Sequence, residues 1–192
     1  MMARTHDLAS VTALGVVVLL QPSRTVTLST AIAVIIANLI GGITPDIDQP
    51  TAPFWRNLPI GGIFGRMFGK LLGGHRFLTH SMLGLALFGF GAHWLLIFLQ
   101  PVLGVIDIGL VWWAYMIGML SHLLMDSLTK EGVPWLLPIP IKLGIPPVRA
   151  LRLTTGKTAE SFIIFPGLIV FNALFYAHNY HRLLDLLQRH LV

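Results

Sequence analysis

The sequence contains no cysteine among its 192 residues. This absence excludes disulfide bonds, and it also excludes thiolate nucleophiles and thiolate metal ligands. Any metal site in this chain must therefore be built from histidine, aspartate and glutamate side chains.

Charged residues are also scarce. They make up 11% of the chain, whereas 55% of the residues are apolar, and an ordinary soluble domain carries about 25% charged residues. A soluble fold of this size could not cover its surface with 13 basic and 8 acidic side chains. The composition excludes a disordered chain, a coiled coil and a typical soluble enzyme. It predicts a small all-α integral membrane protein with one domain over residues 1–192.

The shortage of acidic residues leaves a net charge of +5 and a pI near 10.1. Such an excess can indicate a nucleic-acid partner, but the chain has no basic run with interleaved aromatic residues. In a membrane protein the same excess is typical of cytoplasmic loops beside anionic lipid. We therefore predict no nucleic-acid partner.

Apolar stretches predict four to five membrane-spanning helices. A span needs about 20 apolar residues, and the first stretch, with 13 residues, is short. It could be a tilted span, a re-entrant segment or a buried helix. We favour an uncleaved helix over a signal peptide because Asp7 interrupts the charged region and residues 20–23 lack the small-x-small pattern of a cleavage site. The stretches are 8–20, 26–44, 81–99, 108–128 and 161–177.

The loops between these stretches predict the orientation. With five crossings, one side of the membrane receives the N-terminus and the loops 45–80 and 129–160, with ten of the basic residues against three on the other side. Basic loops stay in the cytoplasm, so the C-terminus is expected outside. Residues 54–72 look amphipathic and interfacial, and 133–147 contains five prolines, which exclude a continuous helix.

Histidine and acidic residues collect at the helix ends that this topology places on the cytoplasmic side. Four separate clusters aim imidazole or carboxylate groups at one membrane face. His93 lies alone in an apolar stretch and is interpreted as a core residue or a pore-lining residue. The clusters lie at 5–7, 44–48, 75–81 and 121–126.

The spacing within two of these clusters suits metal ligands. His122 and Asp126 are four residues apart, so they share one helix face and can bind one ion or a neighbouring pair. A carboxylate inside a span is costly unless it is paired or ligating. Asp46 and Asp48 follow Pro45, and an extended turn would point them to opposite sides. That arrangement suits one ligand together with either a base or a hydrogen-bond acceptor.

The remaining candidates allow two interpretations each. His75 and His80 fit a loop residue followed by one in the first helical turn, and Gly73 and Gly74 permit close backbone approach. Arg76 could bind phosphate or could only mark a cytoplasmic loop. Glu160 could be a ligand or an acidic residue favoured by a helix N-terminus.

At this point the motifs resemble a known family. The blocks PDID at 45–48, HRFLTHS at 75–81 and SHLLMDSLT at 121–129 look like signature blocks of the YdjM/YbcI-type membrane-bound metal-dependent hydrolases. The residues GVP at 132–134 and Gly156 four before Glu160 also fit, so the resemblance covers nearly the whole chain. It implies an inner-membrane hydrolase, with no substrate specified.

A more distant likeness lies in residue order. A His, an Asp, a His, a His-x3-Asp pair and a final Glu is similar to the zinc phospholipase C and P1 nuclease superfamily, whose members are helical phosphoesterases with a zinc cluster. This chain lacks a further His after the pair, and Gly156 stands where a His would precede the final Glu. One or two ions are therefore expected rather than three.

These observations predict a metal-dependent hydrolase of a phosphoester in a lipid or lipid-linked substrate at the cytoplasmic leaflet. The mix of His and Asp favours Zn²⁺. Asp48 is the candidate general base, or an acceptor that holds a histidine tautomer, and Arg76 is the candidate phosphate clamp. Thr79, Ser81 and Ser121 are expected to be hydrogen-bonding or capping residues. The candidate metal ligands are His6, Asp46, His75, His80, His122, Asp126 and Glu160.

The alternative functions are a metal-ion transporter and a metal-binding membrane scaffold. A transporter should carry polar residues through the membrane midplane as a path. Here the spans are almost apolar apart from His93 and Asn172, and the candidate ligands crowd one end. This distribution favours an enzyme or a static metal site, and a scaffold with a structural metal stays open.

Overall fold

The computed structural model describes residues 1–21, 26–74, 76–139 and 141–190. Over these ranges the secondary structure is helical, and five helices are long and apolar enough to cross a membrane. This confirms the predicted all-α membrane fold. In chain order the helices are α1 (Ala3–Leu20), α2 (Leu28–Ile43), α3 (Pro53–Arg56), α4 (Gly61–Leu71), α5 (Met82–Leu103), α6 (Ile108–Ser127), α7 (Phe165–His178) and α8 (Tyr180–His190).

Several helix starts follow from side-chain caps. The Ser81 hydroxyl accepts a hydrogen bond from the Gly84 amide at 3.0 Å, and Thr27 accepts from the Thr30 amide at 3.3 Å. Asp107 accepts from two amides at the start of α6. Each side chain satisfies a backbone donor that has no partner inside its own helix, so these residues set where α2, α5 and α6 begin.

Helix α6 is the centre of the bundle, because it packs against α1, α2 and α5. Ala114, Met119 and Leu123 are buried on it, whereas side chains such as Phe98 on α5 are exposed as lipid-facing residues are. The contact between α2 and α6 is very close. A Cβ atom on Gly118 would collide with the Asn38 carbonyl and lie 2.8 Å from the Gly42 nitrogen.

One end of this bundle collects the polar clusters. The start of α1, the end of α2, the start of α5 and the end of α6 meet there, because consecutive spanning helices run in opposite directions. After α2 the chain makes a 3-10 turn at Thr44–Asp48, not the extended turn expected from the sequence. We refer to it as the Asp turn. Pro45 favours such a turn, since its ring fixes a helical φ.

The loop between α6 and α7 is irregular, as its prolines predict. Thr129 pairs with Leu153 and Val133 pairs with Leu143 in isolated bridges. The Trp135 indole donates to the Ser127 hydroxyl at 2.9 Å. A π-helical turn at Glu160–Ile164 then leads into α7, so that this last span runs over Glu160–His178.

The α2–α6 contact can be tested with Gly118→Ala. The added methyl group must push the two helices apart, and overpacking of this kind costs about 1–3 kcal/mol. We expect a lower melting temperature in detergent than for the wild type. Gly91→Ala is the matched control, because a Cβ there meets nothing within 4 Å. Equal melting temperatures for both variants would contradict the described packing.

Candidate metal centre

Five candidate ligands meet at the polar end of the bundle. His6 comes from α1, Asp46 from the Asp turn, His80 from the residue pair before α5, and His122 and Asp126 from α6. The side chains of His6, His80, His122 and Asp126 are almost fully buried, whereas that of Asp46 is 22% exposed. The sequence-predicted clusters therefore form one buried site with Asp46 at its exposed edge.

Asp126 lies at the centre of the site. Its Oδ1 is 3.3 Å from His6 Nε2 and its Oδ2 is 3.4 Å from His80 Nε2. The His122 Nε2 atom lies 3.8 Å from Asp126 Oδ2 and 3.6 Å from Asp46 Oδ1. Two sets of donor atoms are close enough to hold an ion. One is His6, His122 and Asp126, and the other is Asp46, His80 and His122.

The histidine tautomers follow from the hydrogen bonds behind the rings. The Nδ1 atom of His122 lies 2.6 Å from the Gly42 carbonyl oxygen, which can only accept, so this nitrogen carries the proton. Its Nε2 then keeps a lone pair, and that atom has no hydrogen-bond partner among the described residues. A metal-binding imidazole is held in this way, through its other nitrogen.

His80 is held by a two-step contact. The Thr79 hydroxyl donates to Asp48 Oδ2, so it accepts from His80 Nδ1, at 2.9 Å. The Nε2 atom of His80 then turns its lone pair toward Asp46 and Asp126. Both imidazoles thus present an unprotonated nitrogen to the carboxylates, which is the donor set that a divalent transition metal prefers.

The charge in the site also favours a cation. Burial lowers the pKa of His80, but the carboxylates of Asp126 and Asp48 outweigh burial and raise this pKa above its ordinary value. The same negative charge that raises this pKa would attract a divalent ion to the lone pair of Nε2 in place of a proton. Metal and protons compete for such ligands, so metal affinity should fall as the pH falls.

Asp48 is buried on the side of the site away from Asp126, where it contacts Thr79 and the backbone of Arg76. It is 1% exposed, and its Oδ2 accepts from the Arg76 amide at 3.0 Å and from the Thr79 hydroxyl. Of the two predicted roles, this geometry favours the acceptor that holds a histidine tautomer over the general base.

Arg76 lies on the other side of Asp126. Its Nη2 is 2.8 Å from Asp126 Oδ2, and its Nη1 donates to the Thr129 hydroxyl at 3.0 Å and lies 3.4 Å from Glu131 Oε2. The residue has a positive φ of 58°, which is uncommon for a side chain other than glycine. The surrounding contacts hold its guanidinium beside the candidate ligands.

Glu160 is buried but contacts other groups. Its Oε1 accepts from the Met2 amide at 2.6 Å and its Oε2 accepts from the Gly156 amide at 2.7 Å. These bonds tie the start of α1 to the loop before α7. Glu160 belongs to neither donor set found among the described residues, so its role as a ligand stays a prediction. His75, another predicted ligand, lies outside the described residues.

The sequence predicts some of the residues that support the site but not others. Ser81 caps α5 as expected, and Ser121 donates to the Gly118 carbonyl. The Gly42 carbonyl and Thr129 contribute through tertiary contacts, and no spacing pattern links either of them to His122 or Arg76. The ring of His93 contacts that of Trp112, with centroids 5.8 Å apart, but the His93 side chain is exposed, so its interpretation as a core residue is wrong.

Metal content provides a direct test of the centre. His122 belongs to both donor sets, so His122→Ala should remove bound metal from purified protein, as measured by elemental analysis. His93→Ala is the matched control, since it deletes an imidazole from α5 away from the site, and it should keep wild-type occupancy. Full occupancy in the His122→Ala protein would mean that the site is elsewhere.

The chain has relatives among known proteins. It is similar to uncharacterized protein YvsG from Bacillus subtilis (strain 168), with 28% identity over 142 residues, which cover 74% of this chain and 77% of that protein. No solved structure matches the chain. The YdjM inner membrane protein family matches residues 1–185. With its five candidate spans, the chain is a multi-pass inner membrane protein and belongs to the YdjM inner membrane protein family.

Proposed function

We propose that this protein is a metal-dependent hydrolase that cleaves a phosphoester in a lipid or lipid-linked substrate at the cytoplasmic leaflet. The observation that carries the proposal is the convergence of two buried imidazole nitrogens, held unprotonated from behind, with the carboxylates of Asp46 and Asp126. The mix of His and Asp donors favours Zn²⁺.

The ring geometry supports two neighbouring ions over one. The imidazoles of His6 and His122 stack with centroids 3.7 Å apart and planes only 6° from parallel. Lone pairs in two parallel planes do not converge on one point. Of the two donor sets, His122 therefore suits the one with Asp46 and His80. His6 with Asp126 suits a neighbouring ion. Asp126 has one oxygen near His6 and the other near His80, and it could serve both ions.

The chain's own groups would bind and orient a phosphoester. A divalent ion, when bound, polarises a phosphoryl oxygen and makes water acidic enough to attack at neutral pH. Arg76 lies beside Asp126, and its guanidinium can donate to phosphoryl oxygens in two parallel hydrogen bonds. The partly exposed Asp46 marks the side from which a substrate would enter.

The intramembrane amides argue against the transporter. Asn38 on α2 donates to the Ala114 carbonyl on α6 at 3.1 Å, and Asn172 on α7 donates to Thr12 on α1 at 2.7 Å. Both amides tie neighbouring helices together, as polar groups in membrane bundles do. They give no support to an ion path through the midplane, whereas the ligand cluster at one end suits an enzyme.

Hydrolysis by purified protein tests the proposed reaction. We expect release of product from a phospholipid panel or from bis(p-nitrophenyl) phosphate, loss of this activity on chelation, and its recovery on adding Zn²⁺. Arg76→Lys keeps the charge but loses the paired donors, so kcat/KM should fall about 100-fold while metal stays bound. His93→Ala should match the wild type. A metal-loaded wild type that cleaves no phosphoester would favour a static site or a transporter.

The proposed site requires the polar end of the bundle to face the cytoplasm. Since the chain has no native cysteine, single cysteines can report the orientation in intact cells. Thr158→Cys, in the loop before α7, should resist an impermeant maleimide, and Val105→Cys, in the 77% exposed position between α5 and α6, should react. The reverse pattern would place the site outside and contradict the cytoplasmic assignment.

A further inference from the structure

Helix α4 has three different faces. Gly61, Gly65 and Gly69 recur every fourth residue and form a buried face. A Cβ on Gly65 would lie 2.8 Å from Pro50 Cα, and one on Gly69 would lie 2.6 Å from the Asp48 carbonyl oxygen. The glycines therefore let α4 lie directly on the backbone of the Asp turn, next to the metal centre.

The side of α4 that faces away from the Asp turn is apolar and exposed. Ile63, Met67 and Leu71 form a strip with helical spacing, with exposed fractions of 60%, 54% and 76%, and Phe64 widens it at 44%. Such a strip of large apolar side chains is costly in water, so it marks a surface for lipid or for a partner. We call these four residues the apolar strip.

Basic side chains run along one edge of the apolar strip. Arg66 and Lys70 are exposed and four residues apart, so they share one helix face. Residues 49–74 contain no acidic residue. A surface with an apolar strip beside cations complements acyl chains beside anionic headgroups.

The position of α4 favours lipid, rather than a soluble acidic protein, as the partner of this surface. It packs on the Asp turn, which continues the second membrane span, so it lies where the hydrocarbon ends and the headgroups begin. We propose that α4 lies flat in the leaflet beside the metal centre and that Arg66 and Lys70 bind the phosphates of anionic phospholipids. This inference concerns lipid binding and does not depend on the proposed hydrolase activity.

A fluorescent label on the apolar strip can test both parts of the inference. Met67→Cys introduces the single cysteine of the chain, which can carry a bimane label. The labelled protein is placed in phosphatidylcholine nanodiscs that contain a fixed fraction of lipid with brominated acyl chains, either phosphatidylglycerol or phosphatidylcholine. Bromine quenches the label only if the strip reaches the acyl chains. Stronger quenching by the anionic lipid reports its enrichment beside α4.

We expect quenching by both lipids, with the anionic lipid enriched about fivefold for each cation near the headgroups. Arg66→Gln with Lys70→Gln should remove the difference between the two lipids. Lys142→Gln with Lys157→Gln is the matched control, because it removes the same charge from exposed positions outside α4 and should preserve the difference.

Two results would overturn the inference. Equal quenching of the otherwise unsubstituted protein by both lipids would show that α4 is embedded but does not select anionic headgroups. Quenching by aqueous iodide without quenching by bromine would show that the strip faces water, and its partner would then be a soluble molecule. Neither result would bear on the metal content or on hydrolysis.

Discussion

A carboxylate near the end of a membrane helix is costly to bury unless cations or hydrogen-bond donors surround it. Asp126 is such a carboxylate, and its partners come from several parts of the chain. His6 approaches one oxygen from α1, while His80 and Arg76 approach the other from the segment before α5. The Met1 amino group lies 2.7 Å from Oδ1. Removing one partner of a buried ion pair is strongly destabilising, so one side chain couples the site to the assembly of three spans.

The chemistry of His122 depends in turn on how closely the helices pack. Its Nδ1 reaches the Gly42 carbonyl because α2 and α6 touch through glycines, and a larger residue at Gly118 would separate them. Gly42 also leaves room for the Ser10 hydroxyl of α1, which would lie 3.1 Å from a Cβ there. Membrane helices gain stability from such small-residue contacts. In this bundle the same contacts hold His122, a candidate ligand, in the tautomer that leaves a lone pair on Nε2.

Much of the fold could be predicted because apolar stretches and prolines act locally. Length alone left the first span uncertain, and α1 begins at Ala3 rather than near Leu8. The predicted stretch begins at residue 8, after the polar residues His6 and Asp7. His6 is instead helical and buried, and its Nε2 lies 3.3 Å from Asp126, which is more than a hundred residues away in sequence. A property supplied by a distant residue leaves no trace in local hydropathy.

The sequence predicts which residues form the candidate site, but it does not predict what each of them does there. One-sided clustering identified the candidate ligands His6, Asp46, His80, His122 and Asp126, which the structure brings together. The distinction between Asp46 and Asp48 required tertiary contacts, since both belong to one short motif. Thr79 and the Arg76 amide occupy Asp48, and neither contact follows from spacing in the chain.

The Asp turn shows why these two neighbouring carboxylates differ. A 3-10 turn places residues two apart on different sides, so Asp48 points into the protein while Asp46 keeps 22% of its side chain exposed. The buried carboxylate positions His80 through Thr79, which requires rigidity. The other carboxylate lies at the open edge of the site, where it keeps contact with the surroundings. Helix α4 packs on the Asp48 carbonyl through Gly69, so the helix that we propose to lie in the leaflet rests on the turn that carries both carboxylates.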